Sequence, residues 1–255
     1  MHVLLETRDL GIQFGGLVAL QGLNLQVKSE EILGVIGPNG AGKTTLLNLM
    51  TGVYRPTSGH ILFKGNLIDR LAPHTIAFLG ISRTFQNIRL IPFLSVLENV
   101  MLGRALRVKE SPLDSILLHS KVKAERARWR DFAERMLDYV GLRNEADKEA
   151  ISLPYGKQRA VEIARAIATG AALLLLDEPG AGMSKQEKEE LMTLIRDLRA
   201  RLKITIVLIE HDMKIVLNLV DRAMVLNFGV KIAEGSPDGI KSDPKVIEAY
   251  LGAGD

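Results

Sequence analysis

Apolar and polar positions alternate through residues 17–27, LVALQGLNLQV, and the stretch VLLETRDL precedes them, which predicts β structure across residues 3–28. The apolar run Ile32 to Ile36 predicts a buried strand, and a helical pattern begins at Lys43. Gly52 is placed to end that helix, with Pro56 shortly beyond. HILFKGNLI reads as a short strand pair around Lys64-Gly65, and residues 81–86, ISRTFQ, as a further strand. Beyond residue 103 the chain becomes charged and helix-prone. There Trp129, Phe132, Ala133, Met136, Leu137 and Val140 fall on one helical face, and the Lys and Arg residues from Lys121 to Arg130 form a solvated one. After Gly156 the pattern alternates again: a helix in KQRAVEIARAIA, a buried strand in ALLLLDEP, and a long amphipathic helix in SKQEKEELMTLIRDLRARL. ITIVLIEHD is another strand, and a helix and a strand pair lie before residue 236. Strands alternating with helices predict an α/β fold around a largely parallel sheet.

The turn between the strand at 32–36 and the next helix carries chemistry. Gly37-Pro38-Asn39-Gly40-Ala41-Gly42-Lys43-Thr44 fits G-x-x-x-x-G-K-[ST] in its strand–loop–helix setting. Glycines let successive backbone N–H groups turn inward on phosphate oxygens, and the new helix adds the positive end of its dipole. Lys43 is placed to reach the β- and γ-phosphates, and Thr44 to hold Mg²⁺. Phe14, ahead of this loop, is either a core residue or a stacking partner for a base, and the pattern leaves both open.

Two strands end in charged groups. Leu173 to Leu176 run into Asp177-Glu178, so both acids lie at the carboxyl edge where parallel sheets hold ligands. Asp177 suits ordering of Mg²⁺, and Glu178 suits orienting or polarising an attacking water. Ile204 to Ile209 end in Glu210-His211-Asp212, which makes His211 either a structural histidine or a contact to the γ-phosphate and its water. The apolar residues Ile88, Leu90, Ile91, Phe93 and Leu94 follow Gln86. They read either as a buried loop or as a docking surface.

Composition narrows the class. The chain has 255 residues, 47% hydrophobic and 25% charged, consistent with a globular protein holding a substantial core. No run of about 18 apolar residues and no secretory signal is evident, so a cytoplasmic location is expected. Cysteine is absent, which excludes disulfides and thiolate metal sites. A net charge of +3 is too mild to argue for a nucleic-acid partner, and none is expected.

With these pieces in order, the chain resembles the nucleotide-binding subunits of ABC transporters over essentially its whole length. GPNGAGKTT is the Walker A match, TFQN carries the Q-loop glutamine Gln86, LPYGKQR occupies the signature position, and LLLLDEP is Walker B. Ala181 to Ser184 form the D-loop, and IEHD carries the switch histidine His211. RTFQNIRL, SVLENV, the Tyr-Gly signature and the ending DPKVIEAYLG further resemble ATP-binding subunits of branched-chain amino acid importers. The resemblance implies a single ABC ATPase domain over 1–255. Its α/β core and antiparallel β subdomain span 1–86 and 158–255, and an inserted helical subdomain spans 87–157. It implies ATP and Mg²⁺ as ligands. Phe14 and Val18 would lie on the adenine and Gly37 to Thr45 on the phosphates, while Tyr155, Gly156 and Lys157 would meet the nucleotide of an opposed subunit. Thr44, Gln86 and Asp177 would face the metal, and Glu178, His211, Gln86 and Lys43 would serve hydrolysis.

The implied partners are a second ATP-binding subunit, identical or not, arranged head to tail, and integral-membrane permease subunits docked near Ile88–Leu97. A periplasmic binding protein would act indirectly, and the chain would sit peripherally on the cytoplasmic face of the inner membrane. Two positions depart from the pattern: Pro154 stands where the signature usually has serine, and Ser184 where the D-loop usually ends in aspartate. Competing readings are the ATPase of a urea or amide importer, that of a lipopolysaccharide-type exporter, or a soluble ABC ATPase of DNA repair or translation. The last typically carries a long coiled-coil insertion or a second cassette, and this chain has a single P-loop.

Overall fold

The computed structural model describes residues 2–105, 119–211 and 213–251. Residues 106–118 of the charged block lie outside that range, as do Asp212 and the chain's last four residues. Two sheets form the body. One is antiparallel, in the order β2-β1-β4-β5, from β1 (Val3–Phe14), β2 (Leu17–Lys28), β4 (Ser58–Phe63) and β5 (Asn66–Leu67). The other has the order β10-β9-β3-β8-β7-β6. It comprises β3 (Ile32–Ile36), β6 (Ile81–Arg83), β7 (Leu173–Asp177), β8 (Thr205–Ile209), β9 (Arg222–Asn227) and β10 (Val230–Gly235), parallel except at the β9–β10 edge.

Strands β3, β7 and β8 are buried along their whole length, as their unbroken apolar runs require of strands covered on both faces. The period-two alternation then sorts the side chains. Leu33, Val35, Leu173, Leu175, Val207 and Ile209 join the core shared with the antiparallel sheet, whereas Ile32, Ile36, Leu174, Leu176, Ile206 and Leu208 face a second, helix-covered core. Gly34 has no side chain because the helix after β8 leaves no room: a Cβ there would lie 2.7 Å from Val216 Cγ1.

Helix α1 (Lys43–Met50) packs into the first core, and Gly52, at φ +71°, follows its cap residue Thr51. Helix α2 (Pro73–Leu79) precedes β6. The inserted block contributes α3 (Val96–Ala105) and α4 (His119–Tyr139), whose Ala133, Met136 and Leu137 are buried on the expected face, as is Val140 just past its end, with Arg128 and Arg130 exposed. Side chains at 119–126, including the Lys and Arg expected there on the solvated face, lie outside the description. Helix α5 (Tyr155–Ala168) crosses the boundary drawn between residues 157 and 158, so one rigid rod joins the helical block to the sheet. Helices α6 (Lys185–Leu202), α7 (Met213–Leu219), α8 (Pro237–Ser242) and α9 (Pro244–Leu251) complete the chain. Among the described residues no helix is long and apolar enough to cross a membrane.

The strand expected over 81–86 is shorter. Its ladder stops at Arg83, with one further bond from the Thr84 amide to the Leu175 carbonyl, because the next residues turn away to bond other groups.

Candidate active site

The glycine-rich turn is shaped by backbone demands that glycine alone meets cheaply. Gly40 and Gly42 adopt φ of +77° and +100°, and a Cβ on Gly42 would lie 2.8 Å from the Ala19 carbonyl oxygen. Gly42 caps α1, so the first-turn amides of that helix open onto the loop. Lys43 is buried and donates from Nζ to the carbonyls of Gly37 and Pro38 at 2.7 and 2.8 Å, which curls the loop around the ammonium. Burial pushes the Lys43 pKa down, opposed by the charges of Glu178 and Asp177. A cavity of about 410 Å³ opens over the loop, lined by Asn39 to Thr45, Phe14, Val18, Glu178 and Phe228, among others. Phe14 is therefore a partly exposed cavity wall, packed edge-on to Tyr54 at 5.1 Å, not a core residue.

The strand ends converge beside this loop. Glu178 follows β7 with φ +44°, a left-handed conformation that costs a non-glycine residue energy and recurs at functional sites. Its amide bonds the Ile209 carbonyl at 2.9 Å, and its Oε2 accepts from Gln86 Nε2 at 3.0 Å and lies 3.7 Å from His211 Nδ1. Asp177 is 5% exposed and accepts from Arg83 Nη2 at 2.7 Å, while Arg83 Nη1 donates to Asn48 Oδ1 on α1 at 2.6 Å. Arg83 is a site residue that the sequence pattern does not reveal, since its partner lies on the next strand and far along the chain. Glu210 is another. It is buried, its Oε1 accepts from the Gly180 amide at 2.8 Å, and burial pushes its pKa up.

Tyr155, Gly156 and Lys157 are placed apart from the phosphate loop. Pro154 caps α5 in extended conformation, and Gly156 and Lys157 line a separate cavity with Met183 and Glu187. Lys157 pairs with Glu145 of the same chain. Ser184 caps α6 in a reciprocal capping box with Glu187. The Ser184 amide and hydroxyl, with the Gly156 amide, hold the Glu187 carboxyl below its ordinary range. Of the apolar group after Gln86, Ile88, Leu90 and Leu94 are half-buried, whereas Ile91 is exposed and Phe93 is 92% exposed.

The donor set fits a hard divalent cation: the Thr44 hydroxyl, the Gln86 amide oxygen and the Asp177 carboxylate oxygen not bonded to Arg83 are all oxygen donors of the kind such a cation takes. Among the described residues no cluster of three or more His, Cys, Asp or Glu is placed to hold a metal ion.

Residues 20–181 match the family described as ABC transporter, and residues 230–255 match the family described as branched-chain amino acid ATP-binding cassette transporter. The chain is 41% identical over 98% of its length, and 98% of the relative's, to the high-affinity branched-chain amino acid transport ATP-binding protein LivG of Escherichia coli K12. It is 34% identical to the probable LivG of Methanocaldococcus jannaschii, covering 98% and 97% of the two chains. Among solved structures it is similar to the ADP conformation of an ATP-binding cassette of an ABC transporter, at 32% identity and TM-score 0.85 over 99% and 100% of the chains. A dimeric, post-hydrolysis cassette bound to ADP and Pi is 25% identical with TM-score 0.74, over 91% and 98%.

Proposed function

The chain belongs to the ATP-binding subunits of the ABC transporter family, and from that premise we propose that it hydrolyses ATP to power a membrane permease importing branched-chain or other hydrophobic amino acids. The observation that carries the reading is the convergence of Gln86, Glu178 and His211 at the sheet edge beside the Gly37–Thr45 loop. The amino-acid assignment rests on the likeness of the whole chain to LivG proteins and of residues 230–255 to the branched-chain cassette family.

Each group has a defined task. The loop amides and the α1 N-terminus bind the phosphate chain, and Lys43 turns from the Gly37 and Pro38 carbonyls toward the β- and γ-oxygens. Phe14 and Val18 form the wall on which the base rests. Glu178 accepts a hydrogen bond from the attacking water and orients it, Gln86 fixes the rotamer of that carboxylate, and His211 faces the γ-phosphate side of the same group. Mg²⁺, held by Thr44, Gln86 and Asp177, would neutralise charge on the phosphates. Asp177 would contribute through the oxygen that Arg83 leaves open.

Cassettes of this family work as dimers with membrane permease subunits. Here the opposed subunit, identical or not, would present Tyr155, Gly156 and Lys157 head to tail to the nucleotide. The exposed side chains of Ile91 and Phe93 support a permease contact at Ile88–Leu97. With that contact the chain would sit peripherally on the cytoplasmic face of the inner membrane, and a periplasmic binding protein would deliver solute on the other side. Reconstitution of the chain with its permease in proteoliposomes tests the reading. ATP-dependent leucine uptake is expected, and uptake of urea but not leucine would replace the amino-acid assignment.

A further inference from the structure

Among the described residues the largest fully buried side chain is a charged one, Arg159, on the helix that carries the signature residues. It is 0% exposed. Its Nη1 donates to the Phe85 carbonyl and to Glu162 Oε2, each at 2.6 Å. Nη2 donates to the Gln86 carbonyl at 2.6 Å and reaches the Tyr155 hydroxyl at 3.4 Å. Glu162, 2% exposed, accepts the Arg89 amide at 3.4 Å through its other oxygen. One ion pair thus grips the backbone of the Gln86 loop at three residues, Phe85, Gln86 and Arg89.

Stability alone does not account for such a pair. Desolvating two charges costs several kcal/mol each, and well-packed apolar replacements of buried ion pairs are often neutral or stabilising. The Arg159 Nε is also buried without a hydrogen-bond partner, so the guanidinium is aimed at the loop and leaves one of its own donors unpaired. A planar fork can serve two successive carbonyls in fixed geometry, which an ammonium cannot.

We propose that Arg159, held by Glu162, is a positioning residue that locks the Gln86 loop to the signature helix, so that the helix and the Gln86 side chain move as one body against Glu178. Tyr155, at the helix start, would face the opposed subunit, and the Gln86 amide touches the carboxylate assigned to the water. A tilt of the helix therefore changes the reach of Gln86 to Glu178 directly. The inference rests on the reading of Gln86 and Glu178 given above.

Two arms test it on the full chain. Arg159→Lys should lower kcat by at least about tenfold with KM for ATP unchanged, and in a Gln86→Ala background the same substitution should cost nothing further. Additive losses, or a raised KM with unchanged kcat, would overturn the proposal. The second arm needs no turnover. Arg159→Met alone leaves the buried Glu162 charge with only the longer ion pair to Arg165 at 4.0 Å, so the paired variant Arg159→Met/Glu162→Leu is compared with wild type by amide hydrogen exchange. Exchange in the peptide spanning 85–91 should rise at least about tenfold while β7 and α1 keep their protection. Unchanged exchange at 85–91 overturns the clamp. Absence of ATP turnover in wild type would instead count against the hydrolytic reading and leave the exchange arm to decide.

Discussion

The side-chain amide of Gln86 donates to Glu178 Oε2 at 3.0 Å, joining a loop after β6 to a carboxylate after β7. His211 Nδ1 lies 3.7 Å from the same oxygen, so groups from the ends of three neighbouring strands meet on one atom. The left-handed backbone of Glu178 aims its carboxylate there, and the Ile209 carbonyl holds the Glu178 amide in that conformation.

Arg83 is expected to hold Asp177 in place. Arg83→Ala leaves a carboxylate that is 5% exposed without its partner, which should cost about 3–5 kcal/mol. Adding Asp177→Asn should recover most of that loss. Urea denaturation of the single and double variants checks it, and equal destabilisation of both would show the pair to be incidental.

The sequence carries the local parts of this site and misses the tertiary ones. The glycine turn, the acid pair after Leu176 and the histidine after Ile209 are legible because each follows an apolar run that must be a buried strand. The Arg83–Asp177 and Arg159–Phe85 contacts are not, since 94 and 74 residues of chain separate the partners and only the folded sheet, with a helix across it, brings them together. The strand at 81–86 is overestimated for the same reason: the carbonyls of Phe85 and Gln86 face Arg159 and not a sheet neighbour.

Ile91→Ser/Phe93→Ser is expected to abolish co-purification with the permease while leaving the isolated fold intact. Phe93 is 92% exposed, so its loss should change stability by no more than about 0.5 kcal/mol. A thermal melt alongside the pull-down separates the outcomes. Unfolding of the variant would make the segment part of the core.

Glu210 should give stability a pH dependence. Burial raises its folded pKa above the ordinary 4.5, so the folded chain holds the proton more tightly than the unfolded one. Its contribution is present below the unfolded pKa and is lost as pH rises through the folded value. Glu210→Gln keeps an acceptor for the Gly180 amide without ionising. The variant's melting temperature relative to wild type should therefore climb as pH rises above the ordinary carboxylate range. A flat difference would contradict this.

Pro154 offers neither hydroxyl nor N–H to an opposed nucleotide, and the neighbouring Gly156 amide is turned toward Glu187 of its own chain. A serine hydroxyl on a phosphate would be worth roughly 1.5–3 kcal/mol. Pro154→Ser should accordingly tighten Mg-ATP-dependent dimerisation, read by sedimentation in a Glu178→Gln background that prevents turnover. Equal or weaker association would contradict the assignment.

The most direct test of the site is the steady-state ATPase rate of Glu178→Gln, measured beside its affinity for a fluorescent ATP analogue. The rate should fall by at least about 10²-fold while affinity stays near wild type, because the carboxylate acts on the water and Lys43 with the loop amides holds the nucleotide. A wild-type rate in this variant would contradict the assignment of Glu178.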